Sequence, residues 1–542
     1  MTAISKAINK MVFFAFVFLI STSVSMAQFS AEPEYDACTS ILVGREATTD
    51  GSIMVGHTCD AHYRTWLNMI PHKKHHEGSI RKVFEGKLHT ETPWDTRGLV
   101  EKGEIPEVAE TFKFLNVAYP CLNEKQLAMG ETTFGGKEEL RNDEGMFYIE
   151  ELQAIALERC SSAREAIKLM GDLATEYGYG DWGECLTIAD KKELWQFEIM
   201  GAGPFEIGAV WAAQRIPDGH VGISANRSRI GVIDFDNTDY YMASDNVIRL
   251  AEEMEYWLAD SSEAFKFWKA YTDDAPFSIR EYFVLNNVAP SLKLSYDAEE
   301  LPFSVKPDEK VSLEKVFELY RETYAGTEWD MTKDMLVTKN EKDMYNEGLE
   351  SEELVKSVVA NPWISKETIK LLNAIKPGFL EYQRTISVAK CSYSQVVQVR
   401  DWLPDEVGGV AWFSFDNPAL TPRIPIFIGV NELPESFHIS GRNKYREDAA
   451  SWSFMPAARL ATLRWDKAED YIRTAIDEFE SREIQDVKDI DTHVKQMLKN
   501  DPEKLEQVKK FLTHYTHSMA HATMGKWKEL EKTFWEFFIL GF

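Results

Sequence analysis

Residues 38–60 read CTSILVGREATTDGSIMVGHTCD, and this stretch contains two apolar runs separated by a turn signal. The runs, residues 39–44 and 53–57, are rich in aliphatic side chains, as strands are. The connection between them ends in Asp50-Gly51-Ser52, residue types that are common in turns. The stretch therefore predicts two strands joined by a tight connection, with Cys38 at their beginning.

Other strand-like runs lie on both sides of a helical middle. Four of them follow one another closely enough to pair antiparallel, at residues 184–190, 193–199, 205–214 and 220–225. Three more lie at residues 385–399, 407–415 and 426–430. Strands at both ends of this region, with helices between and after them, favour an α+β fold over a doubly wound parallel sheet.

The helix-like segments differ in polarity. Residues 146–170 have apolar residues at helical spacing, with Ser161-Ser162 as a local break or cap. Residues 244–375 are helix-like and polar, and the charged stretch 338–353 predicts a surface loop or lid. The last part of the chain, 441–542, is amphipathic and ends in an aromatic patch that would suit contacts in a homo-oligomer.

The first 27 residues have the features of a secretory signal peptide. Lys6 and Lys10 precede the apolar run 11–20, and Ser25-Met26-Ala27 offers small residues at the two positions that a signal peptidase reads. The apolar run is shorter than the roughly 20 residues that a membrane-spanning helix needs. We therefore predict an exported protein, periplasmic or extracellular, without stable membrane insertion after removal of residues 1–27.

Charge and cysteine content exclude several classes of protein. The chain carries 88 acidic against 60 basic residues, a net charge of −28, which repels phosphate backbones and makes nucleic acid a poor partner. Its six cysteines include no C-x-x-C pair, so zinc-ribbon spacing is absent. No spacing among the five cysteines after Cys38 implies a disulfide. The sequence predicts no metal and no cofactor.

A cysteine at the start of a processed chain can be a catalytic unit by itself. If cleavage falls between Ala37 and Cys38, one residue carries both a thiol and a free α-amine. The amine can take the thiol proton, and the thiolate can attack an amide carbonyl. Two alternatives for Cys38 are a buried structural cysteine and a lipidated cysteine. Tyr35-Asp36-Ala37 and the early end of the apolar run both argue against lipidation.

The stretch 38–60 resembles the N-terminal motif of the dipeptidase A family, cysteine peptidases among the N-terminal nucleophile hydrolases. The motif residues are Cys38-Thr39, an aliphatic strand ending in Val43-Gly44, Ala47, Asp50-Gly51-Ser52, a second aliphatic strand 53–55, and Asp60. Further blocks of the family follow in order, at 123–136, 225–234 and 398–412. The similarity thus spans most of the chain after residue 37.

The resemblance implies a fold and a domain organisation. It implies a four-layer αββα sandwich of the N-terminal nucleophile hydrolases, with an extended helical C-terminal region. The expected organisation is a signal peptide 1–27, a propeptide 28–37, a catalytic domain 38–440 with a helical insertion at about 244–375, and a helical extension 441–542. It also implies hydrolysis of short peptides, with dipeptides as the first guess, through a thioester on Cys38.

The resemblance also assigns roles to site residues. Cys38 would be the nucleophile exposed by removal of residues 28–37. Asp60 would orient the new α-ammonium through a charge-assisted hydrogen bond, the alternative being a solvated carboxylate at a strand end. Asn226 would donate to the oxyanion or hold the terminal amine, unless it is only a turn residue. Thr133 falls where related amidases place an oxyanion or substrate contact.

Two basic positions near these residues are further candidates. Arg229 could hold the carboxylate of a peptide, and the alternative is a salt bridge to Asp234 or Asp236. His57 stands where the family usually carries an arginine near the sulfur. Histidine titrates near ~6.5, so its charge would fade above neutrality and the pH optimum would be acid-shifted relative to an Arg-bearing relative. Identical pH–rate profiles of wild type and His57→Arg would exclude that expectation.

Two rival functions remain open on the sequence alone. An acylase of penicillin-like or bile-acid-like amides would use the same nucleophile with a different pocket, and activity on acyl amides without activity on dipeptides would favour it. A non-catalytic exported binding protein would keep residues 28–37 or carry lipid on Cys38.

Overall fold

A computed structural model describes residues 38–260, 262–340 and 350–541. The predicted signal peptide 1–27 and propeptide 28–37 lie outside these residues. In the described part of the chain, strands and helices both occur in number, and every strand pair is antiparallel. The α+β class predicted from the sequence is confirmed.

The strands in chain order are β1 (Ser40–Val43), β2 (Ile53–Cys59), β3 (Asn68–Ile70), β4 (Lys73–Lys74), β5 (Ile80–Glu85), β6 (Val100–Pro106), β7 (Glu110–Thr111), β8 (Phe114–Asn116), β9 (Leu122–Asn123), β10 (Ala128–Gly135), β11 (Gly183–Ala189), β12 (Leu194–Gly201), β13 (Ala209–Ile216), β14 (Val221–Ser224), β15 (Tyr241–Ala243), β16 (Ser304–Val305), β17 (Leu336–Asn340), β18 (Glu350–Lys356), β19 (Tyr393–Val399), β20 (Gly409–Phe415) and β21 (Ile424–Phe427).

These strands form two large sheets. The first has the order β16-β14-β1-β2-β19-β20-β21, and the second has the order β15-β13-β12-β11-β10-β9-β8-β3. Strands β1 and β2 of the first sheet contact β10 of the second, and both sheets contribute to one apolar core. The buried faces of the two sheets therefore meet at the strands that follow Cys38.

The hydroxyl group of Tyr320 is inserted between β1 and β2. The Ile41 N–H donates to Tyr320 Oη at 2.8 Å, which replaces a strand-to-strand hydrogen bond. A Cβ at Gly56 would lie 2.3 Å from this hydroxyl, so only glycine fits there. On both sides of the insertion the register is the same, with Leu42 opposite Val55 and Thr39 opposite Thr58.

The helices are α1 (Ile149–Arg159), α2 (Ala163–Tyr177), α3 (Arg249–Glu253), α4 (Phe267–Tyr271), α5 (Ile279–Val288), α6 (Leu313–Tyr320), α7 (Lys366–Ile375), α8 (Asp405–Gly408), α9 (Ser451–Leu463), α10 (Trp465–Asn500) and α11 (Leu505–Glu536). Helices α1 and α2 contact the second sheet. Helix α5 contacts β14 of the first sheet, and α10 and α11 contact its edge strand β21. No helix of the described residues is long and apolar enough to cross a bilayer.

Several predicted elements differ from the structure in their bounds. The predicted helix 146–170 is two helices, because Ser162 caps α2 through a capping box with Glu165, as the break signal indicated. The predicted loop 338–353 is wrong at both ends, because residues 338–340 and 350–353 belong to the paired strands β17 and β18, and residues 341–349 lie outside the described part. The strand expected from residue 385 begins only at Tyr393, since Thr385 and Ser387 bond to nearby loop atoms instead.

Candidate active site

Cys38 lies directly before β1, on the face of the first sheet that meets the second. Its side chain is buried, and its Sγ–H donates to Oε2 of Glu131 at 3.5 Å. Burial raises the pKa of the Cys38 thiol well above its usual value, and the charges of Glu131, Cys59 and Asp60 raise it further. A backbone hydrogen bond from Asp60 acts in the opposite direction. The thiol is therefore held protonated until another group accepts its proton.

Glu131, on β10, is the carboxylate that accepts from this thiol, and the sequence analysis did not single it out. Burial raises its pKa to about 7. Its Oε1 accepts from Thr133 Oγ1 at 3.3 Å, and its backbone oxygen accepts from Ser40 Oγ at 3.2 Å. A lone glutamate inside the otherwise uncharged run AMGETTFG was the signal that could have identified it.

Asp60 follows β2 and is fully buried. Its Oδ2 accepts from Thr58 Oγ1 at 3.0 Å and from Arg384 Nη2 at 2.7 Å. Its Oδ1 accepts no hydrogen bond from the residues that the structure describes. The predicted alternative of a solvated carboxylate is therefore wrong, because the group is enclosed and paired with a buried arginine. One of its oxygens is oriented by Arg384, and the other can receive a further N–H.

Arg280, on α5, connects the main chain of Cys38 to Asn226. Its Nη1 donates to the Cys38 carbonyl oxygen at 2.7 Å, and its Nη2 donates to Asn226 Oδ1 at 2.9 Å. Burial lowers the pKa of Arg280 to about 10, which still leaves it charged at neutral pH. Sequence reasoning missed this residue, since a single arginine at a helix start matches no motif.

Asn226 and Thr133 are brought together as neighbours of this cluster. Asn226 adopts a left-handed backbone with φ of 61° after β14, and its Nδ2 donates to the Thr133 carbonyl oxygen at 2.6 Å. Thr133 in turn bonds to Glu131 through its hydroxyl group. A chain of hydrogen bonds thus links Asn226 and Thr133, through Glu131, to the Cys38 thiol.

Arg229 lies apart from this cluster. Its guanidinium donates to the carbonyl oxygens of Pro276 at 2.7 Å and Pro302 at 2.6 Å, and burial lowers its pKa. The predicted alternative, an ion pair with Asp234 or Asp236, does not occur among the contacts of the described residues. Arg229 holds two loops together in this structure, and its predicted contact with substrate stays a prediction.

His57 packs its ring against two tyrosines and lies on the same face as Cys38. Its Nδ1 is 2.8 Å from the Glu131 backbone oxygen, and its ring centroid is 5.6 Å from that of Tyr119. Burial lowers the pKa of His57 to about 4. The titration expected near 6.5 therefore moves well below neutrality, and His57 is uncharged at neutral pH.

We expect His57→Asn to leave the shape of the pH–rate profile unchanged between about pH 5.5 and 8, because a group with a pKa of about 4 is neutral throughout this range. The measurement is kcat/KM against pH for wild type and variant. Loss of an ionisation near pH 6.5 in the variant would show that His57 does titrate there.

One group of described side chains has spacing that would suit a metal ion. The ligand atoms of Cys38, His57 and Glu131 all lie within 4.8 Å of one another. These are the groups that the hydrogen bonds above already join, and their mixed sulfur, nitrogen and oxygen set is one that zinc accepts. The expectation of catalysis without metal stays a prediction that a chelator would test.

Comparison with known proteins matches most of the chain. The model of the family described as Peptidase family C69 matches residues 37–478. A protein of Latilactobacillus sakei named probable dipeptidase is 27% identical over 424 residues, covering 74% of this chain and 76% of that protein. Proteins named probable dipeptidase B of Lactococcus lactis subsp. lactis and probable dipeptidase of Salmonella dublin are each 24% identical, covering 81% and 73% of this chain and 84% and 81% of their own lengths.

Proposed function

The chain belongs to peptidase family C69, and from that premise we propose that it is an exported dipeptidase whose nucleophile is the thiol of Cys38. The observation that carries the proposal is the buried Cys38 thiol beside Asp60, whose Oδ1 accepts no hydrogen bond from the described residues, with Arg280 holding the Cys38 carbonyl. The names of the similar proteins support dipeptides as the substrate class.

In this proposal, removal of residues 28–37 turns Cys38 into the first residue of the enzyme. Its new α-ammonium binds Oδ1 of Asp60, the oxygen without a partner among the described residues. Arg280 holds the Cys38 carbonyl oxygen by a hydrogen bond, which restricts rotation of the Cys38 backbone and keeps its amine close to its thiol. After this ammonium has lost a proton to solvent, the neutral α-amine takes the thiol proton, in the way that an N-terminal nucleophile requires.

The chemical steps follow from this arrangement. The thiolate attacks the carbonyl carbon of the peptide bond, and the Asn226 amide is the proposed donor to the oxyanion. The ammonium returns the proton to the leaving amine, the peptide bond breaks, and a thioester remains on Cys38. Water then attacks the thioester carbonyl carbon while the α-amine takes its proton, the C–S bond breaks, the acid product leaves, and the proton returns to the Cys38 sulfur.

The proposal includes the four-layer αββα fold of the N-terminal nucleophile hydrolases. Its support is the contact between the two sheets through β1, β2 and β10, with α1 and α2 on the second sheet and α5 and α10 on the first. The region 441–542 would be an extension of this fold, since α11 packs on the edge strand β21.

We expect Glu131→Gln to lower the pKa of the Cys38 thiol, because the negative charge of Glu131 is one of the causes that raise it. The rate of alkylation by iodoacetamide against pH should then reach its half-maximum at lower pH than in wild type. Glu150→Gln is the matched control, since Glu150 is also buried with a pKa raised to about 8. An unchanged or higher midpoint in Glu131→Gln would contradict the expected electrostatic contact.

The test of the proposed function is intact-mass analysis and N-terminal sequencing of protein exported from its host, followed by a panel of dipeptides. A chain that starts at Cys38 without lipid, and that hydrolyses dipeptides, is the expected result. A chain that retains residues 28–37 and still hydrolyses dipeptides would refute the α-amine as base. A processed chain that cleaves acyl amides and no dipeptide would refute the substrate class.

A further inference from the structure

We propose that Cys38 and Cys59 form a reversible disulfide when the protein meets peroxide, and that this bond switches the peptidase off. The proximity of the two cysteines is argued from strand register, independently of the proposed function. Its effect on activity rests on the proposed function of Cys38 as the nucleophile.

The register of β1 and β2 sets the two cysteines opposite each other. Val43 lies opposite Met54, Leu42 opposite Val55 and Thr39 opposite Thr58. One residue further out, the same antiparallel register pairs Cys38 with Cys59. All six cysteines are thiols in this structure, and all six are buried.

Cys38 and Cys59 occupy the kind of antiparallel pair, the non-hydrogen-bonded pair, in which side chains lie closest to each other. The Thr58 N–H donates to the Thr39 carbonyl oxygen at 3.0 Å, as in a hydrogen-bonded pair, while the Thr39 N–H donates to the Thr58 hydroxyl group at 3.0 Å instead of the Thr58 carbonyl. Their neighbours, Cys38 and Cys59, are therefore a non-hydrogen-bonded pair, in which Cα atoms lie about 4.5 Å apart. Disulfides span Cα separations of about 4.4–6.8 Å, so the backbone needs no large movement to form this bond.

Both thiols lie on the same face of the sheet. Cys38 reaches Glu131 on β10 through its sulfur, and His57 reaches the backbone of the same residue at 2.8 Å. Cys59 is two residues after His57 in the same strand, so its side chain projects to that face as well. The charge of Cys59 also raises the pKa of the Cys38 thiol, which agrees with their proximity.

Cys391 is the competing partner for Cys59. Cys59 is among the groups that raise the pKa of the Cys391 thiol, so these two also interact. The Cys391 Sγ–H donates to the Tyr393 carbonyl oxygen at 3.2 Å, however. Tyr393 is the residue that lies opposite Cys59 in β19, which sets Cys391 two positions further along. The register therefore favours Cys38.

The chemistry balances with hydrogen peroxide as the oxidant. The Cys38 thiolate attacks one peroxide oxygen, the O–O bond breaks, hydroxide leaves, and a sulfenic acid remains on Cys38. The Cys59 thiolate then attacks the Cys38 sulfur, the S–O bond breaks, and a second hydroxide leaves as the S–S bond forms. The two hydroxides and the two thiol protons make two water molecules. A reducing thiol restores both cysteines by exchange.

The experiment treats the full-length mature protein with hydrogen peroxide, blocks remaining thiols and digests with trypsin without reduction. Cleavage after Arg45 and Arg64 separates the two cysteines into different peptides, one ending at Arg45 and one spanning residues 46–64. We expect these peptides linked, at two hydrogen masses below their sum, and at least tenfold less dipeptidase activity, which dithiothreitol restores.

Cys59→Ala and Cys121→Ala are the matched variants, since both cysteines are buried. After peroxide treatment, dithiothreitol should restore only part of the dipeptidase activity of Cys59→Ala, because a Cys38 without its partner oxidises beyond sulfenic acid. Cys121→Ala should recover its activity as wild type does. A Cys59–Cys391 link, or no link while Cys38 reaches sulfinic acid in wild type, would overturn the proposal. If Cys59→Ala fails to fold, the peptide map of wild type decides alone. A link formed in a protein without dipeptidase activity would refute only the proposed function.

Discussion

Cys38→Ser is expected to lower kcat/KM for dipeptide hydrolysis by at least about 10⁴-fold, as loss of a nucleophile does in other covalent hydrolases. Serine keeps the size of the side chain and its contact with Glu131, so the fold should survive. Its hydroxyl group is much harder to deprotonate than a thiol, and the surroundings of Cys38 already disfavour the charged form by burial.

The measurement is steady-state hydrolysis of dipeptides, with thermal unfolding as a test of the fold. Cys121→Ser is the control, because Cys121 is also buried and burial alone raises its pKa. We expect Cys121→Ser to retain most activity even if it is less stable. A kcat/KM of Cys38→Ser within tenfold of the wild-type value would show that the Cys38 thiol is not the nucleophile.

Asp60→Asn is expected to reduce the free energy of unfolding by about 3–5 kcal/mol, the usual cost of breaking one partner out of a buried ion pair. Asp60 Oδ2 and Arg384 Nη2 are 2.7 Å apart, and the side chains are 0% and 5% exposed. Asparagine cannot neutralise the guanidinium, so Arg384 would stay buried with an uncompensated charge.

The double variant Asp60→Asn/Arg384→Met separates stability from catalysis. Removing both charges should recover much of the lost stability, as replacement of buried ion pairs by apolar residues often does. Dipeptide hydrolysis should remain low, because the carboxylate charge proposed to hold the α-ammonium is still missing. Urea unfolding and kcat/KM are the two readouts.

Asp172→Asn is the control, because it breaks an exposed ion pair with Lys168 and should change the free energy of unfolding by less than about 0.5 kcal/mol. Recovered activity in the double variant would assign Asp60 a purely structural role.

The sequence could predict the parts of the site that lie in one short stretch. The two strands and the turn at residues 50–52 are read from local patterns, since strand propensity and turn chemistry act within a few residues, whereas the family resemblance singled out Asp60. The break before α2 was readable for the same reason, because Ser162 and Glu165 form a local capping box.

The residues that the sequence did not reveal come from distant segments. Arg280 and Arg384 reach the site through tertiary packing that no local pattern encodes, and each looks like an ordinary surface arginine in the sequence. His57 shows the opposite difficulty, because its position was readable and its environment was not. Only the burial of its ring shows that its pKa falls to about 4.

Arg280 and Arg384 are synthesised long after the residues that they hold. The Cys38 thiol is among the first groups to leave the ribosome, yet the arginine that holds its carbonyl follows 242 positions later, and the one that holds Asp60 follows that carboxylate by 324 positions. Chains are made and begin to fold from the N-terminus, so the Cys38 thiol is synthesised well before the arginines that surround it. A chain cut short before residue 384 would carry the thiol without this ion pair. Under the proposed mechanism, such an unfinished chain would lack the arginine that orients Asp60 and would be inactive.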